Sequence, residues 1–194
     1  MMLILSRRRT TIARWCSDVG SPPVFTVLAL ALAASAGNAT LGSVVAWSLG
    51  LSLLVAAVPL VYVMWLVQRG KVTDIHLPHR RERTGPIAVT LLTLVGAVAA
   101  VHALDAPELL QRFVAVCLAQ SLLLGIVTLW WKISFHAAAT ALFVGTTLAV
   151  FGAVAAPALL LIPLIGWARL ALHRHTLAQV VAGGSVGLIV SMWL

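Results

Sequence analysis

Residues 86–104 read PIAVTLLTLVGAVAAVHAL, and this run contains no Asp, Glu, Lys or Arg. A helix needs about 20 apolar residues to cross the hydrocarbon core of a bilayer, so the run is long enough to span it. Apolar runs of this kind recur along the chain, and none alternates with the period of two that a membrane barrel requires. The sequence therefore predicts an all-α fold, a polytopic transmembrane bundle of six to seven helices.

The composition also indicates a membrane protein. Of the 194 residues, 61% are hydrophobic and 9% are charged, and the mean hydropathy is +1.06. A soluble domain of this size does not need so much apolar sequence. We expect a basic N-terminal segment, residues 1–20, which forms an interfacial helix carrying Trp15. One membrane-embedded domain, residues 21–194, follows it.

Hydropathy and turn residues divide the membrane domain into seven spans. The expected spans are 23–36, 41–67, 86–104, 109–131, a fifth from 137 to a turn near 152–156, a short sixth at 158–168 broken by Pro163, and 176–194.

Three polar stretches follow spans two, four and six, at 68–85, 132–136 and 169–175. Because pairs of crossings separate them, they share one membrane face with the N-terminus. Twelve of the thirteen Lys and Arg residues lie on this face, and only Arg112 lies on the other. The positive-inside rule then predicts that the shared face is cytoplasmic, in a bacterial-type inner or cell membrane.

The net charge of +8 follows from this topology. The basic residues lie in loops and termini, and no basic run is interleaved with aromatic residues. No nucleic-acid partner is expected.

The shared face combines fixed cations, a serine and histidines with few carboxylates. Arg and Lys make strong charge-assisted hydrogen bonds to phosphate oxygens, and Arg can make them in pairs. One histidine can attack phosphorus while another protonates the leaving oxygen. Fixed cations supply the electrostatic stabilisation, so neither a metal nor another cofactor is expected.

Two of the polar stretches carry spaced motifs. Arg169 is followed by five residues, His175, three residues and Gln179, and the earlier stretch contains Ser134 and His136 within Ile-Ser-Phe-His. In order and spacing, these resemble the motifs Pro-Ser-Gly-His and Ser-Arg-x5-His-x3-Asp of the type 2 phosphatidic acid phosphatase superfamily. The resemblance covers roughly residues 41–194.

The resemblance implies a function and a set of roles. His175 would be the nucleophile that forms a phosphohistidine, and His136 would protonate the leaving group. Arg169, Ser134 and basic residues of the first loop would hold the phosphoryl oxygens. The implied protein is an integral membrane phosphatase that hydrolyses a phosphate monoester or diphosphate of a lipid or prenyl substrate among membrane lipids; the oligomeric state is not indicated.

The first motif of that superfamily, Lys-x6-Arg-Pro, is not met as written. Seven residues after Lys71 stands Pro78, whereas His76 and Arg83 have the right interval with histidine for lysine. We therefore expect Lys71, Arg80 and Arg83 to bind phosphate as a group.

Gln179 stands where the superfamily has aspartate. At four residues from His175 it can still orient the imidazole, but a neutral amide stabilises an imidazolium less than a carboxylate does. We expect Asp74, with Glu82 as the alternative, to supply the missing charge from the first loop.

Other interpretations remain open. The chain could be a degenerate relative that binds phospholipid without hydrolysing it, or a small transporter. Ser134 could simply cap a helix, and residues 71–83 could bind anionic lipid. A zinc site at His136, His173 and His175 lacks an acidic or thiol partner in the sequence nearby.

Overall fold

The computed structural model describes residues 2–37, 39–74 and 82–194, with side chains from Thr10 onward. Within these ranges the chain is helical and no β-strand occurs, which confirms the predicted all-α class. The α-helices are α1 Met2–Val19, α2 Pro22–Ala34, α3 Leu41–Ser52, α4 Val58–Gln68, α5 Thr84–Ala103, α6 Glu108–Trp130, α7 Phe135–Phe151, α8 Leu161–Ala171 and α9 Leu177–Ser191. A π-helical turn, Leu53–Ala57, joins α3 to α4, and a 3₁₀ segment, Gly152–Leu160, joins α7 to α8.

Four continuous helical stretches in the described parts of the chain are long and apolar enough to cross a membrane. They are Leu41–Gln68, Thr84–Ala103, Glu108–Trp130 and Phe135–Ala171. The pair Thr10–Val19 and Pro22–Ala34 is bent by 42° and makes a fifth if it counts as one span, and α9 is a shorter apolar helix. The protein thus has four to five apolar helices that could span a membrane, and the total of six to seven stays a prediction.

The stretch from α7 to α8 folds back on itself. Gly152 at the junction has φ 64, a left-handed conformation that glycine adopts without steric cost. Ser134, before α7, donates its backbone N–H to the carbonyl of Gln179 at 3.2 Å, and Gly166 of α8 packs against Val180. The start of α7, the C-terminal half of α8 and the start of α9 therefore meet.

The chain forms two compact units. The terminal unit comprises residues Met1–Ala29 and Trp131–Leu194, and the central unit comprises Leu30–Trp130. Five of the predicted site residues lie in the terminal unit, so its packing decides where their side chains lie.

A pair of glycines holds α9 against α7 in the terminal unit. A Cβ on Gly183 would lie 2.3 Å from the carbonyl oxygen of Ser134, and a Cβ on Gly187 would lie 2.3 Å from that of Ala138. Small residues four apart let two membrane helices approach at backbone distance. This contact fixes the beginning of α7 beside the first turns of α9.

Helix α1 packs on α8 through a second face of small residues. Ala13, Ser17 and Gly20 are buried, and a Cβ on Gly20 would lie 2.3 Å from the Cδ1 of Ile165. The other face of α1 is exposed, including Trp15. The N-terminal segment is therefore helical as expected, and it is part of the terminal unit.

In the central unit, α3 and α4 form one continuous helical stretch through the π turn, directly before Pro59, which has no backbone N–H to donate. Gly85 at the start of α5 packs against the Tyr62 hydroxyl, and Gly125 of α6 packs against Ile87. These contacts connect α4 to α5 and α5 to α6.

The predicted break of the sixth span at Pro163 is wrong. Pro163 lies in the first turn of α8, Leu161–Ala171, where its missing N–H has no intrahelical acceptor to lose. The interruption lies earlier, in the 3₁₀ segment Gly152–Leu160, which contains Pro157.

Candidate functional site

The turn between α8 and α9 carries the longest of the predicted motifs. Helix α8 ends in a Schellman motif, in which the N–H of His173 donates to Leu170 at 2.9 Å and the N–H of Arg174 donates to Arg169 at 3.1 Å. His173 has φ 51, the left-handed conformation that glycine usually adopts at this position. The turn leads from Arg169, in the last turn of α8, to His175, just before α9.

Helix α9 begins with a capping box. The Thr176 hydroxyl accepts the N–H of Gln179 at 3.4 Å, and Gln179 Oε1 accepts the N–H of Thr176 at 3.1 Å. The same Oε1 lies 3.1 Å from Nδ1 of His175. Gln179 therefore contacts the ring of His175, as its spacing in the sequence leads one to expect.

This contact fixes the tautomer of the neutral His175 ring. Gln179 Oε1 accepts a backbone N–H, so it is the carbonyl oxygen of the amide and has no proton to give. The hydrogen between the two side chains must then lie on Nδ1, which places the lone pair of the neutral imidazole on Nε2. In this tautomer Nε2 is the nitrogen that can accept a hydrogen bond or act as a nucleophile.

Ser134 lies at the junction of α7 and α9. It is the N-cap of α7, its hydroxyl oxygen accepts the N–H of Ala137 at 3.3 Å, and its side chain is fully buried. Its own backbone N–H donates to the carbonyl of Gln179 at 3.2 Å. Ser134 and His175 therefore both contact Gln179, while the hydroxyl of Ser134 has the capping role that the sequence left open.

His136 and Lys132 lie on either side of Ser134. His136 is in the first turn of α7 and is partly exposed. Lys132 Nζ donates to the carbonyl of Arg174 at 2.7 Å, so its ammonium group lies beside the residue that precedes His175. Lys132 is not among the site residues predicted from the sequence. Its position two residues before Ser134 is the signal that could have assigned it to the site.

Arg169 is a buried cation, with 7% of its surface exposed. Its Nη1 donates to Ser17 Oγ at 2.7 Å, whereas its Nε has no hydrogen-bond partner among the described residues. No carboxylate of the described chain lies within salt-bridge distance of it. Asp18 interacts with it electrostatically without making a salt bridge. A buried guanidinium with an unpaired N–H is costly, so the arrangement fits an anion that accepts a hydrogen bond from Nε.

Ser17 is not among the site residues predicted from the sequence. It is separated from Arg169 by 152 positions and carries no motif. The one available signal was the spacing of the small residues Ala13, Ser17 and Gly20 on one face of α1.

The first-loop residues belong to the central unit. Lys71 Nζ lies 5.2 Å from the ring centroid of Trp65, and the guanidinium of Arg69 lies 5.4 Å from it. Both cations therefore interact with the same aromatic ring. Lys71 is exposed, and its role as a phosphate ligand stays a prediction.

Asp74 is exposed, and Arg83 is the N-cap residue of α5. Glu82, the alternative source of negative charge, accepts hydrogen bonds from the backbone N–H and the hydroxyl of Thr73, each at 3.2 Å. Arg80 lies outside the described residues, as does His76.

The terminal unit thus contains His175, with Lys132 beside the residue that precedes it, and the buried Arg169 at the other end of the same turn. A second histidine begins the helix that packs against them. Such a set can bind a phosphoryl group and displace a leaving group from it. No family model, curated protein or solved structure matches the chain, so the likeness to the type 2 phosphatases rests on the motif residues themselves.

Proposed function

We propose that this protein is an integral membrane phosphatase that removes phosphate from a lipid or prenyl phosphate through a phosphohistidine at His175. The observation that carries the proposal is the Arg169 guanidinium, which is buried and has an unpartnered Nε. The turn that follows Arg169 leads to His175, whose neutral ring bears its lone pair on Nε2. A phosphoryl dianion would accept a hydrogen bond from the guanidinium of Arg169, and its phosphorus is the electrophile that Nε2 of His175 would attack.

The reaction proceeds in two displacements. In the first, Nε2 of His175 attacks phosphorus, the bond from phosphorus to the leaving oxygen breaks, and His136 donates its proton to that oxygen. In the second, water attacks the phosphohistidine, His136 accepts the proton of the water, and the P–N bond breaks. Gln179 positions His175 by accepting its Nδ1–H throughout.

Cations stabilise the charge on the phosphoryl oxygens. Arg169 supplies its fork of donors, and Lys132 supplies an ammonium close to His175. For the first loop, the roles predicted from the sequence stay proposals: Lys71, Arg80 and Arg83 bind phosphate, and Asp74 supplies negative charge.

The substrate follows from the position of the proposed site. The reactive residues lie at the ends of apolar helices, so the scissile phosphate would sit at headgroup depth with an acyl or isoprenoid tail among the helices. The proposed site faces the cytoplasm, as the distribution of Lys and Arg predicts.

The test is a substrate panel measured in EDTA with the purified protein in detergent. Release of inorganic phosphate is compared for a prenyl phosphate, a prenyl diphosphate, phosphatidate and phosphatidylglycerophosphate. We expect release from at least one substrate, its loss in His175→Ala, and its retention in His173→Asn, a matched change at the exposed histidine two residues away. Absence of release from every substrate, or undiminished release by His175→Ala, would contradict the proposal.

A second candidate is a lipid-binding protein without hydrolytic activity. It is favoured by the neutral amide of Gln179 in place of a carboxylate and by the complete burial of Ser134. This candidate predicts that a phospholipid phosphomonoester binds to the wild type and that no phosphate is released from it.

A further inference from the structure

Two neighbouring buried donors in the terminal unit lack acceptors. Arg169 Nε has no hydrogen-bond partner among the described residues, and it belongs to the guanidinium whose Nη1 donates to Ser17 Oγ. Ser17 is 3% exposed, and within the described chain its hydroxyl accepts this one bond and donates none. Since buried polar groups are almost always paired, two such donors side by side call for a shared acceptor.

The packing of α1 keeps the Ser17 hydroxyl at this place. Ala13 and Gly20 lie on the same buried face of the helix, and a Cβ on Gly20 would lie 2.3 Å from the Cδ1 of Ile165 in α8. A side chain held between two packed helices loses little freedom when a ligand binds. Ser17 is therefore preorganised beside Arg169.

We propose that Ser17 is an anion-binding residue, and that its hydroxyl and the Arg169 guanidinium together bind a phosphoryl oxygen, so that the N-terminal helix forms part of the site. The identification of the anion as a phosphoryl group rests on the proposed function. The hydroxyl donates its proton to the oxygen while it continues to accept the Nη1–H of Arg169. An anion with several acceptor oxygens suits the two donors better than a neutral carbonyl does, because a hydrogen bond from a cation to an anion is about twice as strong.

The inference is tested by binding rather than by turnover. Orthophosphate affinity is measured by calorimetry on the full-length protein in detergent for the wild type, Ser17→Ala and Ser191→Ala. Ser191 lies at the far end of α9 and its hydroxyl donates to the carbonyl of Leu188 in its own helix, so Ser191→Ala is the matched loss of a serine hydroxyl. We expect Ser17→Ala to weaken orthophosphate binding about tenfold and Ser191→Ala to leave it unchanged.

A second arm replaces orthophosphate with a short-chain phosphatidate in mixed micelles. If Ser17→Ala lowers the affinity for both ligands, the site binds phosphoryl groups in general. If it lowers the affinity for phosphatidate alone, the site binds the lipid headgroup. Thermal unfolding shows whether each variant is folded. If Ser17→Ala is not, Ser17→Cys takes its place, because it keeps the volume nearly constant and supplies a much weaker donor.

A folded Ser17→Ala protein that binds both ligands as the wild type does would overturn the inference, as would a wild type that binds neither. These outcomes are separate from failure of the proposed function. If Ser17→Ala weakens binding and no phosphate is ever released, the anion site stands and the phosphatase proposal falls.

Discussion

At the scale of single residues, Gln179 has three contacts that define the candidate site. Its side-chain oxygen accepts the N–H of Thr176 and lies against Nδ1 of His175, and its backbone carbonyl accepts the N–H of Ser134. An aspartate or glutamate here would also stabilise the positive charge that the imidazole gains on attack, which an amide does less well. The proposed reaction should therefore be slow in this protein, and a carboxylate at position 179 should make it faster.

Gln179→Glu tests that point, because it keeps the length of the side chain and the capping box while adding a negative charge. We expect kcat for phosphate release to rise by between about tenfold and 10⁴-fold. The control is Gln179→Met, which has similar length and no acceptor, and which should lower kcat and weaken the helix cap by about 1 kcal/mol. If Gln179→Glu unfolds at the same temperature as the wild type and its kcat is equal or lower, the assigned role of the Gln179–His175 contact is wrong.

The contact between His175 and Gln179 could be predicted from the sequence because both residues are local to one helix start. The contact between Arg169 and Ser17 could not, since it joins two helices from opposite ends of the chain through residues with no motif. The tautomer of His175 also required the structure, because it depends on which atom of the amide receives the N–H of Thr176.

At the scale of helices, the close approach of α7 and α9 sets the geometry of the candidate site. Gly183 faces the carbonyl of Ser134, and Gly187 faces that of Ala138. Both the start of α7, with its two predicted site residues, and the start of α9 depend on this spacing.

Gly183→Ala should force the two helices apart, because the new Cβ would lie 2.3 Å from a backbone oxygen that cannot rotate away. We expect a loss of about 1–3 kcal/mol in the free energy of unfolding and a lower rate of phosphate release. Gly184→Ala is the matched control: it lies one residue along the same helix, and its Cβ would have no atom within 4 Å. That variant should be as stable as the wild type or up to about 1 kcal/mol more stable, since alanine favours helix more than glycine does. Equal behaviour of the two variants in denaturant unfolding would argue against the packing described.

Helix positions could be predicted from hydropathy, and so could the turn near 152–156, which lies in the 3₁₀ segment Gly152–Leu160. The spans expected at 41–67, 86–104 and 109–131 correspond to helices in the structure. The length of this 3₁₀ segment could not be predicted, because it is as apolar as its neighbours. A span that begins at residue 158 would have Pro163 in its interior, where proline interrupts a helix. Because α8 begins at Leu161, Pro163 lies in its first turn instead.

At the scale of the whole molecule, the proposed site depends on all three polar stretches reaching the cytoplasmic face. Twelve of the thirteen Lys and Arg residues follow that assignment. In the predicted topology, pairs of crossings separate the polar stretches, so all three would lie on one face.

Accessibility to a membrane-impermeant thiol reagent tests this topology in cells. Both native cysteines are first removed by Cys16→Ala and Cys117→Ala, and a single cysteine then replaces either Gln68 or Leu104. Gln68 is exposed at the end of α4, next to the first loop, and Leu104 is exposed at the end of α5 that is remote from this loop. We expect Leu104→Cys to be labelled in intact cells and Gln68→Cys only after the membrane is permeabilised. The reverse pattern would place the proposed site on the outer face.

The most direct test of the phosphohistidine proposal is rapid acid-free quenching of the enzyme with a substrate labelled in its phosphate. The wild type should retain a label on the protein that is stable in alkali and lost in acid, as expected of a phosphorus–nitrogen bond, and His175→Ala should retain none. A label that persists in His175→Ala, or turnover of substrate without any labelled protein, would contradict a phosphohistidine at this position.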